Sequence, residues 1–237
     1  MTARRVRIVG PGRAGTSLGL ALAEAAWDVR PLVGRGDDPT DAAAGVDLVV
    51  VATPDGEIER VARAIRPRDG TVVAHLSGSA GLDVLAPHRR RASVHPLMAL
   101  PTPEVGARRL RGGWFALAGD PLGRQVVEAL GGRAFAVDDA DRVVYHAAAV
   151  IASNHLVALL GQVERLARSV GVPFEAYLDL VSATVDNVRE LGAAAALTGP
   201  AARGDEATIR RHLEALPAEE RDAYRALAGA ARRLAGR

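Results

Sequence analysis

Hydrophobic residues in the first half of the chain come in short runs that alternate with helical patterns. This alternation is typical of a parallel sheet covered by helices. A helix is predicted over 58–65, and the third run is β-branched and so predicts a strand buried on both faces. Only a short acidic, alanine-rich segment precedes that run, so one strand of the sheet is predicted to be missing or rudimentary. Strands are predicted at 6–9, 28–33, 46–52, 71–76, 92–94, 114–118 and 134–137.

Beyond about residue 138 the apolar positions follow helical spacing. Asp138 or Asp139 can cap a long helix, which Gly171–Pro173 ends. A second helix is predicted to about Ala196, and two more are predicted over 209–216 and 219–234. The fold class is therefore α/β, with an α/β domain over residues 1–138 followed by an all-α domain over residues 139–237.

A glycine-rich turn joins the first predicted strand to the first helical stretch. In such a turn Gly10 allows the tight bend, Gly12 lets the backbone approach a pyrophosphate, and Gly15 lets the helix press against the strand. Free amides at the helix N-terminus then face the phosphates. The alternative is a plain strand-to-helix loop. The setting predicts a Rossmann-like dinucleotide site that includes Gly10, Gly12, Arg13, Ala14, Gly15, Thr53 and Pro54.

The second predicted strand ends in Gly34-Arg35 and carries no acidic residue at its tip. An NAD site usually places Asp or Glu there for the ribose 2′-hydroxyl, whereas arginine can pair with the 2′-phosphate of NADP. Asp37 and Asp38 follow closely and could compete for this role. Arg35 could also be one more solvated charge. The sequence predicts NADP as the cofactor.

Composition indicates a soluble globular protein of one large or two modest domains, since 49% of its 237 residues are hydrophobic and 24% are charged. The apolar run over 46–53 is too short to cross a bilayer, so we expect no membrane and a cytoplasmic location. All 30 basic residues are arginines, and the chain has no cysteine. Thiolate, Schiff-base and lysine acid chemistry are thereby excluded.

Two further classes of partner are not expected. The arginine clusters at 89–91 and 108–109 have no aromatic residues between them, so nucleic-acid binding is not predicted. The six histidines form no HxxxH or HxH grouping, so no metal site is predicted.

Several motifs together resemble a known family, the Rossmann-like oxidoreductases with a C-terminal helical domain of unknown function. The motifs are the N-terminal glycine turn, HLSG at 75–78, VHPL at 94–97, YHAAA at 145–149 with Ser153-Asn154, and LTGPAARGD at 197–205. The last two are the specific ones, and the resemblance covers nearly the whole chain. This family is related to pyrroline carboxylate reductase, ketopantoate reductase and the β-hydroxyacid dehydrogenases.

The resemblance implies that substrate binds between the dinucleotide domain and the helical domain, and that the helical domain forms a homodimer. Related enzymes use a lysine near the start of the helical domain to protonate the nascent alkoxide. In the hydroxyacid dehydrogenase pattern that lysine precedes an asparagine by four residues. If Asn154 is this asparagine, the position of the lysine is occupied by Val150. The proton must therefore come from another residue.

His95 is the candidate proton donor, because histidine titrates near neutral pH and this one sits at a His-Pro step after a short strand. A similar step occurs in prephenate dehydrogenase-like enzymes, where the histidine contacts substrate. Ser77, just past a strand end, is predicted to bind the substrate oxygen, with a plain turn serine as the alternative. His75, inside a strand, is predicted to be a core residue.

Polar residues of the helical domain complete the predicted site. His146 and Asn154 lie on one stripe of the long helix, where polar groups either face a cleft or satisfy core hydrogen bonds. Thr198 lies in the turn before Arg203, which is predicted to grip a substrate carboxylate or, alternatively, to pair with Asp205 or Glu206.

These features predict an NADPH-dependent oxidoreductase that reduces a small 2-oxo acid, with ketopantoate as the first candidate on kinship alone. In this hypothesis His95, Ser77 and Asn154 serve catalysis, while His146, Thr198 and Arg203 contact substrate. A cyclic imine reductase and a prephenate-type dehydrogenase are enzyme alternatives. A non-catalytic NADP-sensing module is the alternative from another class.

Overall fold

The computed structural model of the chain describes residues 3–236, and its N-terminal part is built on one seven-stranded sheet in the order β2-β1-β3-β4-β5-β6-β7. Neighbouring strands run parallel except β5 and β6, which pair antiparallel. The sequence predicted a parallel sheet, and the β5–β6 pair makes the observed sheet mixed. The strands are β1 Arg5–Val9, β2 Asp28–Val29, β3 Leu48–Val51, β4 Val72–His75, β5 Arg91–Pro96, β6 Trp114–Gly119 and β7 Arg133–Ala136.

Strand β2 is shorter than the run over 28–33 predicts. It pairs with β1 over two residues, and Val33 forms only an isolated bridge to Val9. Asp28 and Arg30 donate to Arg4 and Val6, whereas the next donor is Val33, which bonds to Ile8, so the two-residue spacing of the ladder is lost between Arg30 and Val33. Strand β2 lies at the edge of the sheet, and the next strand along the chain, β3, pairs with β1. The described residues therefore contain no further strand beyond β2.

Helices cover the sheet, and the adjacent strands β3 and β4 are fully buried, which the β-branched sequence of β3 predicts for that strand. Helix α1 buries Leu18, Ala21 and Leu22 in the core that contains Val6 and Ile8 of β1. The hydrophobic pattern did not single out α3 and α4, which have eight residues each. The helices of this part are α1 Arg13–Glu24, α2 Ile58–Ala64, α3 Pro103–Leu110, α4 Leu122–Ala129 and α5 Arg142–Val150.

The rest of the chain is helical, as its periodicity predicts. A π-helical turn, Ile151–His155, interrupts the predicted long helix, which ends before Gly171 with φ +71°. The aspartates predicted to cap this helix make no side-chain cap bond, because Asp139 binds other groups described below. The remaining helices are α6 Leu156–Ser169, α7 Phe174–Leu191, α8 Ala193–Ala196, α9 Pro200–Arg203, α10 Glu206–Ala215 and α11 Arg221–Leu234.

The chain divides into two compact units between Ser153 and Asn154, later than the predicted boundary at 138/139. Helix α5 belongs to the first unit because Tyr145 and Arg142 bond to residues of that unit. The second unit has its own internal tie, in which Glu220 accepts a bidentate ion pair from Arg165 of α6 at 2.6 and 3.1 Å.

Candidate active site and cofactor cleft

The glycine-rich turn between β1 and α1 has three glycines with different spatial constraints. Gly10 has φ +109°, and a Cβ there would lie 2.6 Å from the Ala52 carbonyl oxygen. A Cβ at Gly15 would lie 2.1 Å from the Gly10 carbonyl oxygen, whereas one at Gly12 would meet no protein atom within 4 Å in the described chain. The first and third glycines therefore hold α1 against the sheet, and the second leaves open space.

A cavity of about 580 Å³ lies at the carboxyl ends of β1 and β3, beside this turn. Predicted cofactor residues that line it are Gly10, Gly12, Arg35, Thr53 and Pro54. Arg13 and Ala14 are the first two residues of α1, and Gly15 is packed underneath. The turn, the open space at Gly12 and the cavity lie where the sequence predicts a dinucleotide cleft.

The cleft suits the charges of a dinucleotide phosphate. The first turn of α1, described in full, contains no acidic residue, and the first amides of a helix have no partner within it. The Thr53 hydroxyl is buried and finds no hydrogen-bond partner within residues 3–236, so a bound ligand could satisfy it. These observations fit NADP, whose pyrophosphate would lie at the amides.

The two aspartates that could compete with Arg35 are engaged in the local turn. Asp37 accepts a hydrogen bond from the Gly34 amide at 2.6 Å, and Asp38 accepts bonds from the amide and hydroxyl of Thr40 at 2.9 and 2.6 Å. The Thr40 hydroxyl and amide bonds lower the pKa of Asp38. The exposed Arg35 guanidinium makes no hydrogen bond or ion pair within residues 3–236, which leaves it free for a 2′-phosphate.

A second group of polar residues lies at the carboxyl ends of β4 and β5. His75, the last residue of β4, is fully buried, as predicted for a core residue. Its Nδ1 accepts a bond from the Ser77 amide at 3.2 Å, so Nε2 carries the proton and donates it to the Gly81 carbonyl oxygen at 3.2 Å. Burial lowers the pKa of His75 to about 4, so the ring is neutral at pH 7.

Ser77 holds the turn that follows β4. Its hydroxyl donates to Asp55 at 2.6 Å and accepts from the amides of Ser79 and Ala80 at 3.2 and 3.0 Å. The Ser79 hydroxyl donates to the same carboxylate at 3.0 Å. The single hydroxyl proton of Ser77 is therefore used within the described residues, which fits the alternative of a turn serine, and its contact with substrate oxygen stays a prediction.

His95, near the end of β5, contacts two rings of α5. Its Nδ1 lies 2.6 Å from the Tyr145 hydroxyl oxygen, and its ring meets that of His146 edge-on with centroids 5.9 Å apart. Gly78 passes beside both histidines, since a Cβ there would lie 2.7 Å from Cδ2 of His146 and 2.9 Å from Nε2 of His95. The absence of a side chain at Gly78 lets the two rings approach each other.

The predicted role of His95 as proton donor conflicts with its environment. Burial, with further contributions from His146 and Arg142, lowers the pKa of His95 to about 4. The ring is therefore neutral at pH 7, and the imidazolium needed for donation is scarce. Burial also raises the pKa of Tyr145, which Arg142 partly opposes.

Arg142, the first residue of α5, is a buried cation close to this group. Its side chain is 0% exposed; Nε donates to Asp139 at 2.9 Å, while Nη1 and Nη2 have no hydrogen-bond partner within residues 3–236. The other Asp139 oxygen accepts from the Leu82 amide at 3.0 Å. A positive charge at a helix N-terminus is unfavourable, so Asp139 is needed to hold it there.

Three predicted site residues lie in the second unit. Asn154 is exposed and falls in the π-helical turn, so the regular α-helical stripe predicted with His146 is interrupted between them. Thr198 lies just before the short helix α9, Arg203 is the last residue of that helix, and both are exposed. Their contacts with substrate remain predictions.

The structural alternative for Arg203 is not formed within residues 3–236. Glu206 pairs with Arg232, its carboxylate accepting from Nε at 2.7 Å, and Asp205 caps α10 by accepting from the Thr208 amide at 3.0 Å. The Arg203 guanidinium has no ion pair among these residues and remains available for a ligand carboxylate.

Sequence reasoning missed four residues that the structure brings to the site. Asp55 and Arg60 lie near the cleft, where Arg60 lines the cavity and pairs with Glu57 at 2.7 Å. Tyr145 and Arg142 lie on α5 beside His95. The sequence contains a signal for Tyr145 and Arg142, because an arginine at the start of an apolar helix is followed there by a motif with tyrosine and histidine.

Two domain families match the sequence. Residues 35–101 match a Rossmann-like domain, and residues 117–231 match the family described as Domain of unknown function (DUF2520). No curated protein matches the chain.

Solved structures from distant relatives share the fold over nearly their whole length. A candidate NADP oxidoreductase from Bacteroides fragilis has a TM-score of 0.76 with 21% identity, covering 98% of each chain. A Thermotoga maritima protein has a TM-score of 0.73 with 23% identity over 98% of each chain. The Plasmodium falciparum pyrroline carboxylate reductase with NADP bound has a TM-score of 0.63 with 12% identity over 99% of each chain.

These likenesses show the fold of NAD(P)-dependent oxidoreductases, an α/β Rossmann-like part followed by a helical part. The motifs quoted from the sequence lead to the same assignment. The chain therefore carries a Rossmann-like domain followed by a DUF2520 domain.

Proposed function

We propose that the chain is an NADPH-dependent oxidoreductase that reduces the carbonyl group of a small 2-oxo acid, with ketopantoate as the first substrate to test. The observation that carries this proposal is the placement of two features along one edge of one sheet. The cofactor cleft lies at the ends of β1 and β3, and the His95–Tyr145 pair lies at the end of β5. In open α/β sheets this edge is where ligands bind.

Within this proposal, bound NADPH supplies a hydride to the carbonyl carbon. The residues of the chain hold the cofactor, exclude water and provide the proton for the substrate oxygen. Arg203 is the proposed anchor for the substrate carboxylate, and Asn154, His146 and Thr198 are proposed to contact the substrate.

A cyclic imine is the second candidate substrate, and one observation favours it. A cavity of about 380 Å³ beside Tyr145 is lined by the carboxylates of Asp138 and Asp141 and by apolar residues. A carbon–nitrogen double bond is reduced most readily in its protonated form, and two carboxylates attract such a cation. The pyrroline carboxylate reductase described above has the same fold.

The test is NADPH oxidation with a panel of ketopantoate, other 2-oxo acids and cyclic imines. Saturable turnover of a 2-oxo acid supports the first proposal, and turnover of imines alone replaces it with the second. Saturable NADPH binding without turnover of any compound would favour an NADP-sensing module and overturn both enzyme proposals.

Replacing Arg35 is expected to change cofactor preference. An Arg35→Ser variant loses a charge-assisted bond to the 2′-phosphate, so its Kd for NADPH should rise roughly 10- to 100-fold while its Kd for NADH stays unchanged. Calorimetry with both cofactors measures this. Arg63→Ser is the matched control, because Arg63 is an exposed arginine paired with Glu59 and does not line the cleft. Equal affinity of the wild type for NADPH and NADH would contradict the role of Arg35.

We also propose that the protein is a homodimer formed through its helical domain. Among the described residues, none of the 18 in α7 is buried, and this helix exposes several large apolar side chains. Leaving so much apolar surface in water is unfavourable, and a second copy of the chain would cover it. The exposed residues of α7 are Leu178, Leu180, Val185, Val188 and Leu191.

A membrane is the alternative partner for the apolar helices of the chain. The helical segment Asp139–Ser169 is long and apolar enough, by length and composition, to cross a bilayer. However, Tyr145 near its start bonds to His95, and Arg165 near its end pairs with Glu220. These contacts tie the segment to folded protein at both ends, which favours a protein partner and the proposed cytoplasmic location.

Light scattering tests the dimer. Wild-type protein should have twice the chain mass, and Leu180→Glu should shift it to the monomer because a carboxylate would be buried in the interface. Gln125→Glu, which adds the same charge at an exposed position of α4, should stay dimeric. A monomeric wild type that floats with phospholipid vesicles would overturn the dimer in favour of the membrane.

A further inference from the structure

Carbonyl reduction requires a group that protonates the substrate oxygen, and the neutral state of His95 leaves this role open. With a pKa of about 4, His95 is protonated in only about one molecule in a thousand at pH 7. The hydroxyl group nearest to its Nδ1 belongs to Tyr145, at 2.6 Å. Tyrosine is also a far better acid than a neutral imidazole.

We propose that Tyr145 is the proton donor of the reaction and that His95 orients its hydroxyl group and returns the proton. The inference rests on the proposed function, since it assigns a residue to that reaction. It follows from the 2.6 Å contact and from the position of His95 at the carboxyl end of β5.

The direction of the hydrogen bond sets the roles of the two residues. If Nδ1 of His95 carries the ring proton and donates it to the phenolic oxygen, the Tyr145 O–H is free to point at a substrate. Nε2 is then the bare nitrogen, and it lies beside the backbone of Gly78. A Cβ at Gly78 would lie 2.9 Å from both Cε1 and Nε2 of His95, so the backbone leaves little space beside this edge of the ring.

The surrounding charges favour a tyrosine that loses its proton during the reaction. Burial raises the pKa of Tyr145, and the charge of buried Arg142 opposes that rise while it helps to lower the pKa of His95, so this charge would stabilise a phenolate and disfavour an imidazolium. Asp139 pairs with Arg142 on the side of Nε, which leaves the Nη1 and Nη2 groups without partners within residues 3–236.

The proposed step balances as follows. Bound NADPH would supply the hydride for the new C–H bond as the carbonyl π bond opens, and the Tyr145 O–H bond would break to give the substrate its new O–H bond. Tyr145 remains as a phenolate held by the Nδ1–H of His95. A solvent proton then adds to Nε2 of His95 while the Nδ1 proton passes to Tyr145, which restores both neutral groups. Loss of the Nε2 proton to solvent and uptake of a solvent proton at Nδ1 then restore the starting tautomer of His95.

Tyr145→Phe tests the donor directly, because it removes the hydroxyl and keeps the ring. Its kcat for the compound turned over in the panel should fall by about 10²- to 10⁴-fold, while its Kd for NADPH and its Tm stay close to wild type. Tyr224→Phe is the matched control, since the Tyr224 hydroxyl lies 2.7 Å from Nδ1 of His212 in the other unit. It should retain wild-type kcat.

The pH profile separates the two possible donors. With Tyr145 as donor, kcat should stay level through neutral pH and fall only as the phenol ionises, above its usual range near pH 10. With the imidazolium as donor, kcat should fall about tenfold for each pH unit above about 4. The charged and titratable groups around the pair are Asp55, His75, Asp139, Arg142 and His146.

Proton NMR gives a readout that does not depend on turnover. A low-field proton of the short Tyr145–His95 bond should disappear in Tyr145→Phe and remain in Tyr224→Phe. If wild type turns over a substrate and Tyr145→Phe keeps full kcat, the donor assignment is wrong while the function stands. If wild type reduces no compound in the panel, the proposed function fails and the donor assignment fails with it.

Discussion

Replacing Gly15 with alanine is expected to abolish measurable NADPH binding and to destabilise the protein. A Cβ at this position would lie 2.1 Å from the Gly10 carbonyl oxygen and 3.0 Å from the Ala52 Cβ. Since these atoms belong to the turn and to the end of β3, α1 must move away from the sheet. Overpacking of this kind costs about 1–3 kcal/mol of folding free energy. The displaced turn should weaken NADPH binding by about 100-fold or more, or roughly 2.7 kcal/mol.

Gly12→Ala provides the sharper contrast, because its Cβ would meet no protein atom within 4 Å in the described chain and its φ of −74° suits alanine. Its Tm should equal that of wild type, but its Kd for NADPH should rise about tenfold or more, since the methyl group takes space beside the phosphates. Gly70→Ala, also with nothing within 4 Å, should change neither quantity.

Thermal unfolding and calorimetry with NADPH measure both effects. Unchanged NADPH affinity in Gly12→Ala would place the pyrophosphate elsewhere. A Gly15→Ala variant as stable as wild type would show that α1 does not need its close contact with the sheet.

Replacing Asp139 with alanine is expected to be strongly destabilising, whereas replacing its partner Arg142 with methionine is not. Asp139→Ala leaves a fully buried guanidinium without its only hydrogen-bond partner within residues 3–236. Breaking a buried ion pair in this way costs on the order of 3–5 kcal/mol. We expect the lower end, about 3 kcal/mol, because the Asp139 side chain is 47% exposed.

Arg142→Met removes the buried charge itself and fills similar volume, so the free energy of unfolding should stay level or rise. The same change should raise the pKa of His95, because the Arg142 charge is one of the causes that lower it. Urea unfolding measures the stabilities, and NMR titration measures the pKa. Asp138→Ala, at an exposed neighbour without a side-chain cap bond, is the control and should stay within about 0.5 kcal/mol of wild type.

The critical result is that Asp139→Ala lowers the free energy of unfolding whereas Arg142→Met leaves it level or raises it. A large loss of stability in Arg142→Met would mean that the guanidinium itself holds α5 on the sheet. A neutral Asp139→Ala would mean that water satisfies the buried charge.

The cofactor half of the candidate site could be predicted from local sequence. The spacing of Gly10, Gly12 and Gly15 after a strand constrains a single turn, so neighbouring residues alone indicate what each position requires. The same holds for Arg35 at the next strand end. The periodicity also predicted the strands and most helices, because burial on one or two faces leaves a pattern in the adjacent sequence.

The contacts around His95 and Ser77 in the candidate site could not be predicted in this way. His95 and Tyr145 are 50 positions apart, and Ser77 and Asp55 are 22 positions apart, so no local pattern records that they bond. The pKa of His95 depends on burial and on the nearby His146 and Arg142 charges, which are properties of the packed fold.

The sequence by itself thus determined the two-part architecture and the glycine turn, because both depend on residues close together along the chain. The tertiary structure decided the antiparallel pairing of β5 and β6, the role of Ser77 in its turn and the contact of Tyr145 with His95. These features depend on distances between separate elements, and desolvation and charge act only once those elements have packed together.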